Sequence, residues 1–474
     1  MNIIILGAGR VGQSVAESLV SEHNDITVVD TDPQRLRALQ DRLDLRGVVG
    51  NGIQPSVLEQ AGVRDADMII GCASADETNL VVCKVAHDLF SVPTRIARLR
   101  SPEFQPDSDL MGPNGFAINQ VICPEASVTR YIRKLIEFPE ALQVMAFAQG
   151  LLSLMAVRAV EGGILVGHRL DEMPQRAPDL QARVVAIYRQ EHALARLAGE
   201  TRLLAGDEVF ILAPTAQIQA ALRAVRPAEG PPARRLMLAG GGKVGLRLAR
   251  ELAVSTQIKL IDQDRQRCDY LATQLPSSTL VLHGDCTDED LLEDENVGDM
   301  DLFAALTNDD EDNIMACLLA KRMGARRVLA LINRGAYADL VQGTKIDIAI
   351  SPATAVIGEL LAYVRRGDVE AVHSLRRGAA EAIEAVVRGD AKSSRLAGRR
   401  VGQVKLPAGV QIGALVRGLH TESGAPCDDV SAAQVILARH DTQIEPLDHV
   451  IVFVPKKRMV REVEQLFQVG PTFF

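Results

Sequence analysis

Two stretches of the chain decide its fold: NIIILGAGRVG at residues 2–12 and RLMLAGGGKVG at residues 235–245. Each is a short apolar run followed by glycines with the spacing GxGxxG, a pattern typical of a strand, a tight turn and the start of a helix. An acid follows each loop, Asp30 after ITVV and Asp262 after IKLI. Because both acids come within about 20 residues of the glycines, the pattern predicts a dinucleotide-binding fold twice over.

The rest of each half repeats in the same order. The first glycines, Gly7 and Gly240, are 233 residues apart (240 − 7), and DMIIGCASADETN at 67–79 matches DLFAALTNDDEDN at 301–313 with an offset of 234 (301 − 67). Landmarks in one order with a nearly constant offset indicate a tandem duplication. Three prolines in RPAEGPPA at 226–233 mark the junction between the copies, because proline interrupts helices and sheets alike.

Short apolar strands alternate with helices at the start of each half, which predicts a parallel sheet covered on both faces. A helix beginning at a proline follows, at 124–135 and 352–365, and then a strand-rich segment. In that segment we predict three strands and a final helix: 152–159, 182–188, 207–213 and 214–225, then 382–388, 434–439, 449–455 and 456–467.

The predicted fold class is α/β, with two tandem Rossmann-like doubly wound parallel-sheet domains, each followed by a small α+β domain. The expected domains are 1–140, 141–226, 234–370 and 371–474, with a linker at 227–233.

Composition narrows the classes of function. The formal net charge is −9, aromatic residues make up 3%, and tryptophan is absent, which argues against a nucleic-acid partner. The seven cysteines form no CxxC pair, and the apolar run at 141–157 is too short to span a bilayer. With no signal peptide visible after Met1, we expect a reduced, cytoplasmic protein without structural metal.

The glycine loops and acids predict how a nucleotide is held. The first glycine makes the turn, the second lets the backbone approach a pyrophosphate, and the third packs the helix on the strand. The acid accepts the ribose hydroxyls and repels a 2′-phosphate, so NAD(H) is favoured over NADP(H). We expect this carboxylate to face ligand or solvent and not the core.

Other residues are expected to border the two sites at the carboxyl edge of each sheet. Ala73 and Ser74 occupy that edge in the first half, and Thr307 and Asn308 occupy it in the second. Arg98 ends the next strand of the first half, whereas the stretch 331–334 has no basic residue in register, so the sites are expected to differ.

Several charged groups have two interpretations. Arg10 and Lys243 face either phosphate or solvent, while Asp32 and Asp264 are better explained as helix N-caps than as ligand groups. The acidic stretch 285–312 is better explained as a solvated face than as a metal site, because it lacks a fixed ligand spacing.

No combination of residues suggests catalysis, since candidate histidine or lysine acid–base groups are few beside the predicted nucleotide folds. A nucleotide sensor therefore explains the chain better than an enzyme. The alternatives are an NAD-dependent oxidoreductase that uses one half for catalysis, and a scaffold with relict sites.

The GxGRVG start, the TVVD acid, the segment 67–79, the duplicated order of domains and the length together resemble the tandem regulator-of-potassium-conductance (RCK, or KTN) family of Trk potassium uptake systems. The resemblance implies a non-enzymatic regulatory subunit that binds NAD(H), or ATP and ADP. It implies an integral-membrane potassium-translocating partner of the TrkH or TrkG type, and a peripheral position on the inner face of the cell membrane.

Carried over by motif, the resemblance implies two sets of cofactor-binding residues. The first set is Gly7, Ala8, Gly9, Arg10, Val11, Gly12, Asp30, Ala73, Ser74 and Arg98. The second set is Gly240, Gly241, Gly242, Lys243, Val244, Gly245, Asp262, Thr307 and Asn308. Asn51 departs from the acid found at Asp285, so a charge-based role at this position is in doubt for the first half.

The helices that begin at the prolines carry apolar residues at helical spacing: Val128, Ile132, Leu135, Val356, Leu360 and Val364. Such a stripe is consistent with ordinary packing onto its own domain. In the resembled family this crossover helix pairs neighbouring nucleotide domains, which implies a homo-oligomer, most simply a tetramer.

Overall fold

The computed structural model describes the chain apart from these residues: 21, 23, 102, 105–107, 191, 195–196, 228–232, 335–336, 338–340, 342–344, 365–367, 376–379, 422–426, 428 and 470–474. The side chains of 353–355 also lie outside the description.

The first domain is built on a parallel sheet with helices between its strands. Its strands are β1 (Asn2–Leu6), β2 (Asp25–Asp30), β3 (Arg46–Val49), β4 (Met68–Gly71), β5 (Thr94–Arg98) and β6 (Gln120–Ile122). Its helices are α1 (Arg10–Val20), α2 (Pro33–Gln40), α3 (Pro55–Gln60), α4 (Asp76–Phe90) and α5 (Pro124–Glu137). The strand order β3-β2-β1-β4-β5-β6 reverses direction between β1 and β4, which is where α/β sheets bind ligands.

A small antiparallel sheet follows. It contains β7 (Ala141–Phe147), β8 (Leu152–Arg158), β9 (Arg183–Arg189), β10 (His192–Ala193) and β11 (Glu208–Pro214), with α6 (Met173–Arg176) and α7 (Ile218–Val225). The strand order is β10-β9-β11-β8-β7.

The second half repeats both sheets. The parallel sheet consists of β12 (Arg235–Ala239), β13 (Gln257–Asp262), β14 (Thr279–His283), β15 (Leu302–Ala305), β16 (Val328–Leu331) and β17 (Ile348–Ile350). Its helices are α8 (Lys243–Leu252), α9 (Arg265–Gln274), α10 (Glu289–Asp294), α11 (Asp310–Arg322) and α12 (Pro352–Val364). The order β14-β13-β12-β15-β16-β17 is that of the first sheet.

The last sheet consists of β18 (Val369–Leu375), β19 (Ala380–Val386), β20 (Gln411–Arg417), β21 (Gln434–Leu437) and β22 (His449–Val454), followed by α13 (Val460–Phe467). Its order, β18-β19-β22-β20-β21, matches that of the first small sheet. The predicted fold class is confirmed: two doubly wound parallel sheets alternate with two small α+β sheets.

The small sheets are larger than the sequence suggested, because each has five strands where three were predicted. Strand β7 lies in an apolar run without alternation, and β20 contains Gly413 at a bulge that breaks its period. Such strands give little periodic signal. The domain boundaries given above remain predictions.

The chain forms two compact units. One consists of residues 1–130 and 234–359, and therefore holds both parallel sheets; the other consists of 131–233 and 360–474 and holds both small sheets. Inside the first unit the two copies contact each other, since Ser127 on α5 donates a hydrogen bond of 2.7 Å to Glu359 on α12. Inside the second, Phe210 and Phe453 bring the two small sheets into one core, with ring centroids 5.9 Å apart.

The apolar stripe of the two crossover helices is covered within a single chain. Val128 and Ile132 are fully buried, and Leu135, Val356, Leu360 and Val364 are at most 8% exposed. These side chains are therefore not available to pair neighbouring chains. The contact between α5 and α12 instead joins the two nucleotide domains of one chain. In the described part of the chain, no helix has the length and apolar character needed to cross a bilayer.

Candidate nucleotide-binding cleft

The first glycine loop has the geometry that a phosphate needs. Gly7 has φ +105°, and a Cβ there would lie 2.9 Å from the carbonyl oxygen of Cys72, so only glycine makes this turn. A Cβ at Gly12 would lie 1.9 Å from the carbonyl oxygen of Gly7, which keeps the helix close to the strand. A Cβ at Gly9 would meet nothing within 4 Å, so a ligand can approach the backbone there.

The second loop repeats these features. Gly240 has φ +104°, and a Cβ at Gly245 would lie 2.0 Å from the carbonyl oxygen of Gly240. The surroundings of Gly242 are open in the same way as those of Gly9. Because α1 and α8 begin next to these loops, their N-termini present free N–H groups and partial positive charge to a phosphate.

The two acids hold the loops as well as facing the cleft. Asp30 accepts hydrogen bonds from the N–H of Ala8 at 2.6 Å and of Asp32 at 2.8 Å. Asp262 accepts the equivalent bonds from Gly241 at 2.7 Å and Asp264 at 2.9 Å. A carboxylate oxygen has a second lone pair, so both acids can still accept a ribose hydroxyl.

Both carboxylates line the cleft, and their predicted role toward a ligand stays a prediction. Asp30 is only 9% exposed, because its two backbone partners hold it against the glycine loop. Asp262 is partly exposed. The neighbouring acids behave as predicted. Asp32 caps α2 by accepting from Gln34 and Arg35, and Asp264 caps α9 by accepting from Gln266 and Arg267.

Both glycine loops open into one cleft of about 1010 Å³ within the first unit. Most of the predicted site residues line it: Gly7, Gly9, Arg10, Val11, Asp30, Ala73, Ser74, Arg98, Gly240, Gly242, Lys243, Val244, Asp262, Thr307 and Asn308. The other four predicted site residues are not part of the cleft wall: Ala8, Gly12, Gly241 and Gly245. Ala8 and Gly241 direct their N–H groups to the acids, and Gly12 and Gly245 pack the helices.

The cleft also contains residues that the sequence analysis missed. They include Arg35, Arg100, Glu125, Arg267, Asp285, Asp309 and Asp312. The three aspartates belong to the acidic stretch that was interpreted as a solvated face. The constant offset between the copies aligns these three aspartates with Asn51, Ala75 and Thr78, none of which is charged, so the sequence alone did not single them out.

The far end of the first half of the cleft is rich in arginine. Arg98 is 8% exposed, and Glu125 Oε1 lies 3.7 Å from both Arg98 Nη2 and Arg100 Nε. Among the described residues, neither arginine Nε has a hydrogen-bond partner. Burial and the charge of Arg100 lower the pKa of Arg98. Two poorly satisfied guanidinium groups at a cleft suit an anionic ligand group.

Buried asparagines identify the matching positions in the second half. Asn79 Nδ2 donates to the carbonyl of Arg98 at 2.8 Å, and Asn313 Nδ2 donates to the carbonyl of Leu331 at 2.8 Å. Two residues after Arg98 and Leu331, the backbone bonds also match. Asp76 accepts a hydrogen bond from the N–H of Arg100, and Asp310 accepts one from the N–H of Asn333. Leu331 and Asn333 therefore occupy the places of the two arginines, so the expected lack of a basic residue in register is confirmed.

The cleft is rich in carboxylates, but its two cysteines are poor nucleophiles. Burial raises the pKa of Cys72 to about 12 and that of Cys286 to about 11, so neither thiol is ionised near neutral pH. No histidine is found among the described residues that line the cleft.

Known proteins share both the domains and the full length of this chain. The TrkA-N domain matches residues 3–124 and again 236–352, and the TrkA-C domain matches 154–226. The Trk system potassium uptake protein TrkA of Halomonas elongata is 50% identical over 474 residues, covering 100% of both chains. That of Vibrio alginolyticus is 47% identical over the same span.

Among solved structures, the "GsuK channel bound to NAD" covers 98% of this chain and 78% of its own, with a TM-score of 0.60 and 18% identity. That likeness supports the fold. The identity to full-length relatives shows the family: the chain belongs to the Trk system potassium uptake proteins TrkA.

Proposed function

We propose that this protein is a cytoplasmic, nucleotide-sensing regulatory subunit that gates a potassium-translocating membrane partner of the TrkH or TrkG type. The observation that carries the proposal is the pair of glycine loops that open into one cleft of about 1010 Å³. Membership of the Trk potassium uptake family supplies the process in which such a sensor acts. The protein lies at the inner face of the membrane as a peripheral subunit.

The ligands are NAD(H) and, at the first site, also ATP or ADP. Gly9 and Gly242 leave room for phosphate, and Asp30 and Asp262 meet the ribose. The NAD-bound GsuK channel, which has the same fold, supports a dinucleotide. All the predicted site residues, from Gly7 to Asn308, are proposed as ligand-binding or loop-forming residues on this basis.

The protein acts without catalysing a reaction on its nucleotide. The high pKa of Cys72 and Cys286 and the makeup of the lining favour binding over chemistry. Ligand binding shifts a conformational equilibrium only through different affinities for two states. The hydrogen bond from Ser127 to Glu359 links the two nucleotide domains directly, from the first turn of α5 to the middle of α12.

The subunit assembles with copies of itself, and we propose a homotetramer that presents eight nucleotide domains to its partner. The buried stripe on α5 and α12 does not supply the contact between chains, so this proposal rests on family membership. Light scattering of the purified protein at micromolar concentration should give four times the chain mass; the mass of a single chain would contradict it.

Asp30→Ala and Asp262→Ala test the function. Loss of a charged hydrogen-bonding group typically costs about 1.5–3 kcal/mol, or about tenfold or more in affinity. Each variant should lose nucleotide binding at its own site, measured by equilibrium dialysis. Potassium uptake, in cells that depend on this protein, should lose its response to nucleotide.

Asp44→Ala is the matched control, because this exposed acid lies on the same domain outside the cleft lining. Urea unfolding of each variant separates loss of the site from loss of the fold, which matters for the buried Asp30. Unchanged binding in Asp30→Ala would remove the ribose assignment. Turnover of NADH with carbonyl substrates would contradict the sensor and favour an oxidoreductase.

A further inference from the structure

The two halves of the cleft have opposite charge beyond the glycine loops. Leu331 and Asn333 stand where the first half has Arg98 and Arg100, as the hydrogen bonds of the buried asparagines establish. Conversely, the second half has acids where the first half has uncharged residues. With the offset of 234 residues (313 − 79), Asp285, Asp309 and Asp312 correspond to Asn51, Ala75 and Thr78.

The charges that line the two halves add up to opposite signs. In the first half they are Arg10, Arg35, Arg98 and Arg100 against Asp30 and Glu125. In the second they are Lys243 and Arg267 against Asp262, Asp264, Asp285, Asp309 and Asp312. Over the described lining residues, the net charge is +2 (4 − 2) in the first half and −3 (2 − 5) in the second.

Sheet order shows which part of a ligand meets these charges. The ribose acid ends β2 or β13, and the glycine loop follows the neighbouring strand β1 or β12. A ligand that runs from the acid across the loop continues to the ends of β4 and β5, or of β15 and β16. The distal part of the ligand therefore meets Arg98 and Arg100 in the first half, but Asp309, Asp312 and Leu331 in the second.

The acids of the second half repel one another when the cleft holds no cation. Burial and the negative charges of Asp309, Asp285 and Glu311 raise the pKa of Asp312. A positively charged ligand group relieves this repulsion, whereas an additional phosphate increases it.

We propose that the second site selects oxidised NAD, whose nicotinamide ring is cationic, and rejects ATP, while the first site accepts the phosphate chain of an adenine nucleotide. This inference rests on the proposed function and deepens it. NADH lacks the positive charge of the oxidised ring, so the second site discriminates between the two redox forms. A single chain then reads the adenine nucleotide pool at one site and the oxidation state of the dinucleotide at the other.

Binding to the full-length protein tests the selectivity. In Asp30→Ala, which weakens the first site by about tenfold or more, equilibrium dialysis should show NAD binding more tightly than NADH and no ATP binding in the same concentration range. In Asp262→Ala, ATP binding should persist. Each acid near the ring should contribute about fivefold to the NAD-to-NADH affinity ratio, which is the effect of two unit charges about 4 Å apart when water screens them fully.

The decisive variant adds Asp309→Asn and Asp312→Asn to Asp30→Ala. Asparagine at 309 keeps the cap of α11, because that side chain accepts from the N–H of Asp312 and asparagine also caps well. Because two acids are neutralised, the affinity ratio should fall by about 25-fold (5 × 5). Asp294→Asn, an exposed acid of the same domain outside the lining, should leave it unchanged.

The outcomes separate the two proposals. If the unmodified protein binds no adenine nucleotide, the proposed function fails and the selectivity fails with it. If NAD and ATP bind the second site equally, or if the Asp309→Asn and Asp312→Asn changes leave the ratio intact, the selectivity is wrong while nucleotide sensing stands.

Discussion

The two copies of the small sheet keep one ion pair on a buried carboxylate, whereas the two copies of the nucleotide fold have opposite cleft charges. In the first small sheet Arg189 binds Asp207 through two hydrogen bonds of 2.8 Å. In the second, Arg417 binds Asp448 at 2.8 and 2.9 Å. Both carboxylates also accept a backbone N–H three residues earlier in the chain, so the whole arrangement is duplicated.

Charges that hold the fold are kept in both copies, whereas charges that line the cleft differ between them. Asp207 and Asp448 are at most 1% exposed, and burying a carboxylate is costly unless its charged and hydrogen-bonding partners are all present. Losing one partner destabilises the sheet, so the pair cannot vary independently. Arg98 and Asp312 line the cleft that we propose binds nucleotide, where charges can differ between the copies if their ligands differ.

The largest expected effect comes from breaking a duplicated pair. Arg189→Met and Arg417→Met each leave a buried carboxylate without its cation. Because the two arginines are 35% and 32% exposed, the cost should lie at the low end of the range for buried pairs, about 3 kcal/mol of folding stability. The two variants should be destabilised to a similar degree, as measured by urea unfolding monitored by circular dichroism.

Arg169→Met provides the matched control, because Arg169 and its partner Asp171 are both 45% exposed. Its unfolding midpoint should stay within error of the unmodified protein, since exposed pairs contribute little. A tolerated Arg417→Met alongside a strongly destabilised Arg189→Met would show that the two small sheets are not equivalent.

The next largest effect concerns the charge difference in the cleft. Arg98→Leu gives the first site the residue of the second, Leu331, and removes one buried guanidinium. Affinity for ATP at the first site should fall by about 1.5–3 kcal/mol, as for other charged hydrogen-bonding groups. Calorimetric titration of ATP into the variant measures it, with Arg42→Gln, an exposed residue outside the cleft lining, as control. If Arg98→Leu bound ATP as tightly as the unmodified protein, the charge difference between the two halves of the cleft would not control nucleotide affinity.

Sequence reasoning reached the fold because its strongest signals are local. The turn at Gly7, the acid at Asp30 and the cap at Asp32 lie within one strand–helix–strand unit, and their spacing is fixed by that geometry. The charge of the cleft depends on Arg100, Glu125 and Asp312, which different strands bring together. Their positions follow from the order of strands in the sheet, which periodicity alone does not give.

Removing a helix N-cap should cost a smaller amount of folding stability, and the same amount in both copies of the nucleotide fold. Asp32→Ala and Asp264→Ala remove matching N-caps of α2 and α9, at a cost of about 1 kcal/mol each. Urea unfolding should show equal shifts for the two variants, and Asp32→Asn and Asp264→Asn should restore most of the loss. A shift in Asp264→Ala alone would mean that Asp32 is not needed to hold its helix.

The smallest expected effect on folding stability comes from a histidine cluster that the second small sheet has and the first lacks. In the second sheet, the buried Glu384 accepts from the N–H of Ala148 at 2.9 Å and contacts His449 Nδ1 at 2.6 Å. His449 Nε2 in turn lies 2.9 Å from His420 Nδ1. Strand pairing places Ala156 and Glu208 of the first sheet where the second has Glu384 and His449, so the first copy lacks this arrangement.

Acid should weaken the second small sheet through these histidines. In the contact between His449 and His420, one ring nitrogen donates and the other accepts, according to the tautomers of the two rings. Burial and the charges of His449 and Arg388 lower the pKa of His420, while Asp368 and Glu384 act in the opposite direction. Burial also lowers the pKa of His373, which contacts the carbonyl of Ala146.

A histidine whose pKa is lower in the folded state takes up protons more readily when unfolded. Its contribution to stability is therefore complete above its ordinary pKa of 6.5 and is lost as the pH falls below that value. The urea midpoint should drop between pH 7.5 and pH 5.5, and His420→Gln should reduce that drop. His87→Gln, on the exposed face of α4, should leave the drop unchanged, because that residue lies outside the small sheets. If His420→Gln and His87→Gln behave alike, the acid sensitivity arises elsewhere in the chain, and the difference between the two small sheets has no consequence for stability.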